Sequence, residues 1–284
     1  MTPVALGNDD DSLVVAVLVG SPSHKGNWLE VTHAVTAAFM VAQAAYHFSP
    51  SRSNHRRGAF PSASFGISHG GGRTEPGNVS IKSKHNIKIL HDLFSNPYVQ
   101  LLLGFTDQSF NLVAPRLHSY YSTVLGGICS RYPNLERFWR RSVFACCAFN
   151  LGPRVRAYIH TDHLNVPFGW CAITAFGRFD PKRGGHLILW EWGLIIEFPP
   201  GSTVFIPSAL VRHSNIGVSM DETRFSLVQW MPGALCRWFD FGFKPAATFR
   251  KEHGSRATDA ANEARWKEGL SLLPRLRDFR DAAE

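Results

Sequence analysis

The stretch GHLILWEWGLIIEFPPGSTVFIPSALVRHSN, residues 185–215, decides the fold. Its short apolar runs are separated by turn signals, Trp-Gly at 192–193 and Pro-Pro-Gly at 199–201. Runs rich in β-branched and aromatic residues, broken by Gly and Pro at short intervals, indicate strands joined by tight turns. The stretch therefore predicts a hairpin and two further strands, at residues 186–191, 194–198, 203–206 and 211–216.

The same pattern of short apolar runs separated by turn signals extends over residues 142–243. It adds three predicted strands and one turn, at residues 155–160, 170–176, 224–231 and 180–185. About seven short strands with even spacing are typical of a barrel or a jelly roll. We therefore predict an α+β chain with a mostly β core.

Helical patterns lie on both sides of the β region. Before the β region, apolar spacing near 3.6 residues predicts helices at residues 28–48, 85–103 and 115–129. After it, charged and Ala-rich segments predict helices at residues 259–272 and 274–283. The second helix should break near Asn96 and Pro97, and Asn27 is the predicted N-cap of the first. We expect a strand at 13–19, and a loop or flexible arm at 49–80 because Ser, Gly, Pro and Arg dominate there.

The charge of the chain favours, without proving, a polyanionic partner. Lys and Arg number 30 against 22 Asp and Glu, which gives a formal net charge of +8. Such an excess fits a protein that meets nucleic acid, and it fits equally a protein that only needs to stay in solution. The arginines of residues 52–73 and 131–141 are the candidates for phosphate contact.

The cysteines indicate the compartment. There are five, an odd number, and no C-x-x-C pair occurs. This pattern matches neither a secreted disulfide framework nor a zinc module. No apolar run reaches the roughly 18 residues of a membrane-spanning helix. We therefore expect an intracellular protein that does not cross a membrane.

The segment AYIHTDHLN, residues 157–165, carries the most informative polar pair. His160 and Asp162 are two residues apart at the end of a predicted strand, so their side chains should share one face. Together they supply two of the three ligands of a 2-His-1-carboxylate facial triad for Fe(II). A chance H-x-D is common in a chain with 13 histidines. His160 as a buried structural histidine therefore stays open, and His163 is the less favoured rival ligand.

A third ligand and an anion-binding pair follow in the order that such a site needs. His213 lies in ALVRHSN, and Arg224 and Ser226 lie in TRFSLVQW. A guanidinium binds a carboxylate at two points, and Ser226 on the same strand face can add a hydroxyl. This combination is what an enzyme dependent on iron and 2-oxoglutarate requires, because the metal binds one end of the keto acid and the arginine binds the other.

From about residue 56 to residue 243, the sequence resembles the TET/JBP family of nucleic-acid-base dioxygenases, and most of all its expanded fungal branch. Five stretches carry the resemblance, in the order that the family has them, at residues 64–72 (SFGISHGGG), 149–154 (FNLGPR), 160–190, 197–215 and 222–243. The resemblance implies a double-stranded β-helix, a jelly-roll or cupin-like fold, flanked by N-terminal and C-terminal helices.

The resemblance also implies cofactors and site residues. The family uses Fe(II), 2-oxoglutarate and O2 to oxidise the methyl group of a pyrimidine base, 5-methylcytosine or thymine. The roles carried over by position are iron binding by His160, Asp162 and His213, 2-oxoglutarate binding by Arg224 and Ser226, and positioning of co-substrate or base by Asn165. These assignments divide the chain into an N-terminal region (1–80), a dioxygenase domain (81–247, with a helical lead-in over 81–141 and the β core over 142–247) and a helical tail (248–284).

We expect the partner to be nucleic acid, DNA first, with the target base flipped out or already single-stranded, and hence a nuclear protein. The cysteine-rich zinc-binding extension of animal TET proteins is not expected, because five scattered cysteines cannot build it. The same chemistry on RNA, a protein side chain or a small molecule stays open. So does a catalytically degenerate nucleic-acid-binding module of mobile-element origin. The oligomeric state is not predicted.

Overall fold

Two antiparallel sheets lie face to face at the centre of the computed structural model, which describes residues 1–22 and 27–280. The strands within these residues are β1 (Thr2–Ala5), β2 (Val14–Gly20), β3 (Ser62–Ser68), β4 (Gly77–Asn78), β5 (Cys146–Asn150), β6 (Cys171–Arg178), β7 (Leu187–Leu189), β8 (Leu194–Ile196), β9 (Thr203–Ile206), β10 (His213–Asn215) and β11 (Thr223–Trp230). The large sheet has the order β1-β2-β9-β6-β11-β5-β3-β4 and the small sheet the order β10-β7-β8. The expected double-stranded β-helix is confirmed.

Helices cover the other face of the large sheet. They are α1 (Trp28–Ala45), α2 (Pro50–Ser53), α3 (Lys84–Ser95), α4 (Pro97–Val113), α5 (Pro115–Arg131), α6 (Gly233–Asp240), α7 (Ala246–Ser271) and α8 (Arg277–Arg280). Phe39 of α1 is buried against Phe149, Phe176 and Phe225, one aromatic ring from each of three central strands. Removing such a ring costs about 3–5 kcal/mol, so this contact fixes the helix layer on the sheet.

Strand alternation assigns side chains to the two layers. In β6, Ala172 and Phe176 belong to the core under the helices, whereas Cys171, Ile173 and Ala175 belong to the core between the sheets. Side chains along a strand point to opposite faces in turn, which explains the split. In β11 the same rule places Phe225 and Leu227 under the helices, and therefore turns the intervening polar residues toward the space between the sheets.

Most predicted elements are confirmed within a few residues. The hairpin 186–198 is β7 and β8 around a 3-10 turn, Trp190–Trp192, and the strand at 203–206 is β9. The break near Asn96 and Pro97 is also confirmed, since the Asn96 side chain accepts hydrogen bonds from the Tyr98 and Val99 amides at 2.9 and 3.3 Å and begins α4.

Three predictions about local structure are wrong. Residues 62–68 form β3 and not a flexible arm, because residues 62–66 pair with β5 and residues 67–68 pair with β4. Residues 155–160 form no strand. Asn27 does not cap α1, because its backbone is helical (φ −104°, ψ −3°) and its side chain makes no capping hydrogen bond. The helix expected at 259–272 is present as part of α7, which begins earlier and bends at Gly254 (φ 84°).

The helix expected at 274–283 is present only as the short α8, and its last predicted residues, 281–283, lie outside the described residues. Among the helices that the structure describes, none combines the length and the apolar character that crossing a membrane requires.

Candidate metal centre and active site

His160 lies on an irregular segment, residues 151–165, which we call the ligand segment. Its backbone is hydrogen-bonded to the sheet at intervals: the Val155 amide donates to the Arg224 carbonyl at 3.0 Å, and the Asp162 amide donates to the Ser208 carbonyl at 2.7 Å. His160 and His213 exchange amide-to-carbonyl bonds of 3.1 and 2.9 Å. These bonds hold the ligand segment beside β10 without a strand.

Hydrogen bonds to nearby backbone carbonyls orient the two histidine rings. The Nδ1 atoms of His160 and His213 lie 2.7 and 2.9 Å from the carbonyl oxygens of Tyr158 and Val211. A carbonyl can only accept, so each Nδ1 carries the hydrogen and each Nε2 presents a lone pair, the tautomer that binds metal. Burial and the charge of His213 lower the pKa of His160 to about 4, so its imidazole is neutral at physiological pH.

Asp162 completes a three-residue cluster. Its carboxylate oxygens lie 3.8 Å from His160 Nε2 and 3.7 Å from His213 Nε2, and the ligand atoms of the three residues all lie within 4.8 Å of one another. The Asn165 amide donates to the Asp162 carbonyl at 2.8 Å, which closes a tight turn and aims the carboxylate at the histidines. Two imidazole nitrogens and one carboxylate on one side of a point are a facial donor set that suits Fe(II).

Arg224 is buried on β11, on the side of the large sheet that faces the small one. Gly177 of β6 pairs with Arg224. Its φ is 123°, and a Cβ added there would lie 2.1 Å from the Thr223 carbonyl oxygen, so only glycine fits at this position. The guanidinium donates through Nη1 to the Val155 carbonyl at 3.4 Å, while its buried Nε has no partner within the described residues. Burial lowers the pKa of Arg224 to about 10, which still leaves it charged at neutral pH.

Ser226 belongs to a polar row that crosses three strands. Asn150 of β5 pairs with Ser226 on one side and with Ser62 of β3 on the other. The Asn150 amide donates to the Ser226 hydroxyl at 2.9 Å, and the Ser62 hydroxyl donates to the Asn150 carbonyl at 2.9 Å. Ser226 therefore keeps its own hydroxyl hydrogen available, directly beside Arg224 along the strand face.

One small cavity joins these groups. It has a volume of about 50 Å³, and His160, Asp162, His213, Arg224 and Ser226 all line it. The structure thus brings together five of the six residues singled out from the sequence. Asn165 lies outside this cavity, with its amide donating to the Ser208 hydroxyl at 2.9 Å, and it faces the wider cleft beyond Asp162.

Two asparagines that line the cavity were not predicted. Asn150 orients Ser226 as described above. Asn215 holds the ligand segment: its carbonyl accepts from the Ala157 amide at 2.8 Å and its amide donates to the Val155 carbonyl at 3.0 Å. Neither residue has a local sequence signal beyond its position in FNLGPR and RHSN, because each acts on chain segments far away in sequence.

The cavity opens outward into two larger pockets, which together we call the cleft. The inner pocket measures about 260 Å³ and is bordered by Arg56, Arg57, Asp162, Asn165 and Trp230, among others. The outer pocket measures about 730 Å³ and shares Asn165 and Trp230 with the inner one. Apart from Asp162, every ionised side chain that lines the cleft is basic.

The arginines predicted to contact phosphate divide into two groups. Arg52, Arg56 and Arg57 lie on the cleft, where Arg56 donates to the Thr161 carbonyl at 3.2 Å and Arg57 lies 3.9 Å from Asp162. Arg73, which donates to the Gly77 carbonyl at 3.0 Å, and the arginines of residues 131–141 line no part of the cleft. The sequence alone could not separate these groups, because the difference depends on where each segment lies in the fold.

Comparison with known proteins gives structural likenesses at low identity. NgTET1 in complex with 5mC DNA is 16% identical, with a TM-score of 0.46, and the match covers 78% of this chain and 73% of that one. An oxidoreductase of the 2OG-Fe(II) oxygenase family from Burkholderia pseudomallei is 15% identical, with a TM-score of 0.35, and the match covers 75% of this chain and 94% of that one. A Pseudomonas putida prolyl-4-hydroxylase is 14% identical, with a TM-score of 0.37, and the match covers 76% of this chain and 91% of that one. No family model and no curated protein matches the chain. The geometry of the site is therefore the basis for assigning a function.

Proposed function

We propose that this protein is an Fe(II)- and 2-oxoglutarate-dependent dioxygenase that oxidises the methyl group of a pyrimidine base, 5-methylcytosine or thymine, in DNA. One observation carries the proposal. Two metal-binding imidazoles, one carboxylate and a buried arginine with an unpartnered Nε line the same cavity. No structural role explains why a fold would bury this combination of charges.

The donor set fits the metal. His160 and His213 would each present Nε2, because Nδ1 of both rings donates to a backbone carbonyl. Asp162 would supply the anionic ligand that balances part of the metal charge. Bound Fe(II) would supply the activation of O2 and the coupling of 2-oxoglutarate decarboxylation to C–H oxidation, chemistry that no amino-acid side chain provides.

The cavity also supplies the two groups that a dicarboxylate needs at its far end. Arg224 would bind the distal carboxylate through its Nε, for which the described residues offer no partner, and Ser226 would donate its hydroxyl. Arg57, with 27% of its side chain exposed, lines both this cavity and the inner pocket beside it.

The cleft favours a nucleic acid as substrate. The inner pocket adjoins Asp162, is wide enough for a single base, and has the indole of Trp230 on its wall. A base within a duplex cannot reach such a pocket, so the target must be flipped out or single-stranded. Basic side chains around the cleft would neutralise the backbone phosphates. A DNA substrate would place the protein in the nucleus of its cell.

The proposal is tested by measuring succinate release from 2-oxoglutarate with a panel of substrates. Methylated single-stranded and duplex DNA should stimulate release above the level without substrate. Stimulation by RNA, peptide or a small molecule, but not by DNA, would support the dioxygenase activity and refute DNA as its substrate. Absence of release with every substrate, while DNA still binds, would indicate a degenerate binding module.

A further inference from the structure

The glycine-rich stretch SFGISHGGG lies on the outer wall of the cleft, and the proposed reaction gives it no role. Gly70, Gly71 and Gly72 all have positive φ angles, between 62° and 102°, and Gly70 and Gly71 line the outer pocket. An added Cβ on Gly70 would lie 3.7 Å from Ala234, so the loop contacts the beginning of α6. The loop therefore forms one side of a concave wall with its backbone exposed.

Two arginines form the other side of this wall. Arg237 of α6 is exposed, and the described residues offer its guanidinium no hydrogen bond or ion pair. Arg265 of α7 lies near enough that its charge, after burial, lowers the pKa of Arg237. Guanidinium groups placed side by side repel each other unless an anion lies between them.

Arg265 is held in place but only partly satisfied. Its Nη2 donates to the Asn262 side chain at 2.7 Å, and its Nε lies 3.8 Å from the Asp240 carboxylate. Its guanidinium also lies over the Phe241 ring, 5.4 Å from the centroid. Its Nη1 is buried and has no partner among the described residues. Asp240, which pairs with Arg265, does not line the outer pocket, whereas Arg237 and Arg265 both do.

His69 adds a third unsatisfied group at the loop. Its ring packs against Trp238 at a centroid distance of 4.7 Å, and its Nδ1 is buried with no hydrogen-bond partner among the described residues. Burial, together with the charges of Arg237 and Arg73, lowers the pKa of His69. In the part of the chain that the structure describes, no Asp or Glu lines the outer pocket, so its wall offers donors and no competing carboxylate.

We propose that Arg237 and Arg265, facing the His69–Gly71 loop, form a binding site for a backbone phosphate of the nucleic acid strand. The ligand is a phosphodiester because the outer pocket continues into the base-sized inner pocket beside Asp162, with Asn165 and Trp230 common to both. One nucleotide can then place its base near the metal while a neighbouring phosphate lies between the arginines. The inference rests on the proposed function, and it assigns where the nucleic acid strand lies on the protein.

The test measures binding without the reaction. Metal-free protein is titrated into a fluorescein-labelled single-stranded DNA of about 12 nucleotides that holds one 5-methylcytosine, and anisotropy is followed at several KCl concentrations. Arg237→Ala should weaken binding about tenfold at low salt and reduce the slope of log K against log [salt] by about 0.7. Arg237→Lys should keep the slope. Arg140→Ala removes an exposed arginine outside the cleft and should change neither quantity.

The outcomes separate this site from the reaction. Unchanged affinity and slope in Arg237→Ala, with the wild type still oxidising DNA, would overturn the phosphate site alone. A wild type that neither binds nor oxidises DNA would overturn the site together with the proposed substrate. Inorganic phosphate should compete only weakly; competition as strong as that of the oligonucleotide would identify a site for free phosphate and overturn the proposal. Thermal melting of each variant shows that it is folded.

Discussion

The backbones of His160 and His213 are paired by two hydrogen bonds, although His160 does not lie on a strand. The pairing sets their rings 4.3 Å apart, centroid to centroid, at an angle of 50°. Asp162, two residues from His160, then lies within 4 Å of both Nε2 atoms. Metal binding therefore depends on how firmly the ligand segment is attached to the sheet.

Asn215 should control metal affinity without touching the metal. It is the side chain that ties residues 155 and 157 of the ligand segment to β10. Asn215→Ala should weaken metal binding about 10- to 100-fold, the usual effect of losing a group that orients ligands. Isothermal titration with Mn(II) measures this, and Asn111→Ala, an exposed asparagine on α4, is the control. Equal affinities would mean that the segment is held adequately without Asn215.

His160 and Asp162 should be required for the iron and 2-oxoglutarate complex, and His163 should not. Anaerobic addition of Fe(II) and 2-oxoglutarate should give a weak visible charge-transfer band in the wild type. His160→Ala or Asp162→Ala should abolish the band, because each removes a ligand of the only described cluster of three metal-binding groups. His163→Ala should keep it, since His163 lines the cleft and not the metal cavity. Loss of the band in His163→Ala, with the band kept in His160→Ala, would identify His163 and not His160 as the ligand.

Arg224 should determine affinity for 2-oxoglutarate. Removing one partner of a buried charge pair costs about 2–5 kcal/mol, so Arg224→Ala should raise the KM for 2-oxoglutarate by roughly 30-fold or more. Arg224→Lys keeps the charge but loses the two-point contact, so it should raise the KM by a smaller factor. The affinity for metal should stay within about twofold of wild type, since Arg224 belongs to the far end of the cavity. Arg178→Ala, an exposed arginine of β6, serves as the matched control. A KM unchanged in Arg224→Ala would remove this arginine from the co-substrate site.

Metal should stabilise the folded protein through Asp162. A ligand at 100 times its Kd adds about 2.7 kcal/mol to the free energy of unfolding. Mn(II) should therefore raise the Tm of the wild type, and a chelator should reverse the shift. Asp162→Ala should show no metal-dependent shift. A shift of the same size in that variant would place the metal elsewhere.

The sequence predicts which side chains meet better than it predicts the local structure that brings them together. It pairs His160 with Asp162 because alternate residues of a strand share a face, yet residues 155–160 form no strand. The two side chains converge because the Asp162–Asn165 turn and the His213 backbone bend the ligand segment. The H-x-D spacing is compatible with both geometries, so the proximity of His160 and Asp162 could be predicted from a strand that the chain does not form.

The parts that sequence could not show depend on distant pairing. Residues 62–68 have the composition of a loop, and they become a buried strand because β5 pairs with residues 62–66 and β4 pairs with residues 67–68. Asn150 and Asn215 likewise gain their roles from strands and segments far away in the chain. By contrast, the hairpin of β7 and β8 is set by local turn residues and was predictable.

The central claim is tested most directly by nucleoside mass spectrometry of DNA containing 5-methylcytosine or thymine after incubation with the protein, Fe(II), 2-oxoglutarate and O2. We expect the wild type to produce an oxidised methyl group on one of these bases, together with at least one succinate for each oxidised base, and Asp162→Ala to produce neither. Succinate without an oxidised base, or an oxidised base formed equally by Asp162→Ala, would contradict the central claim.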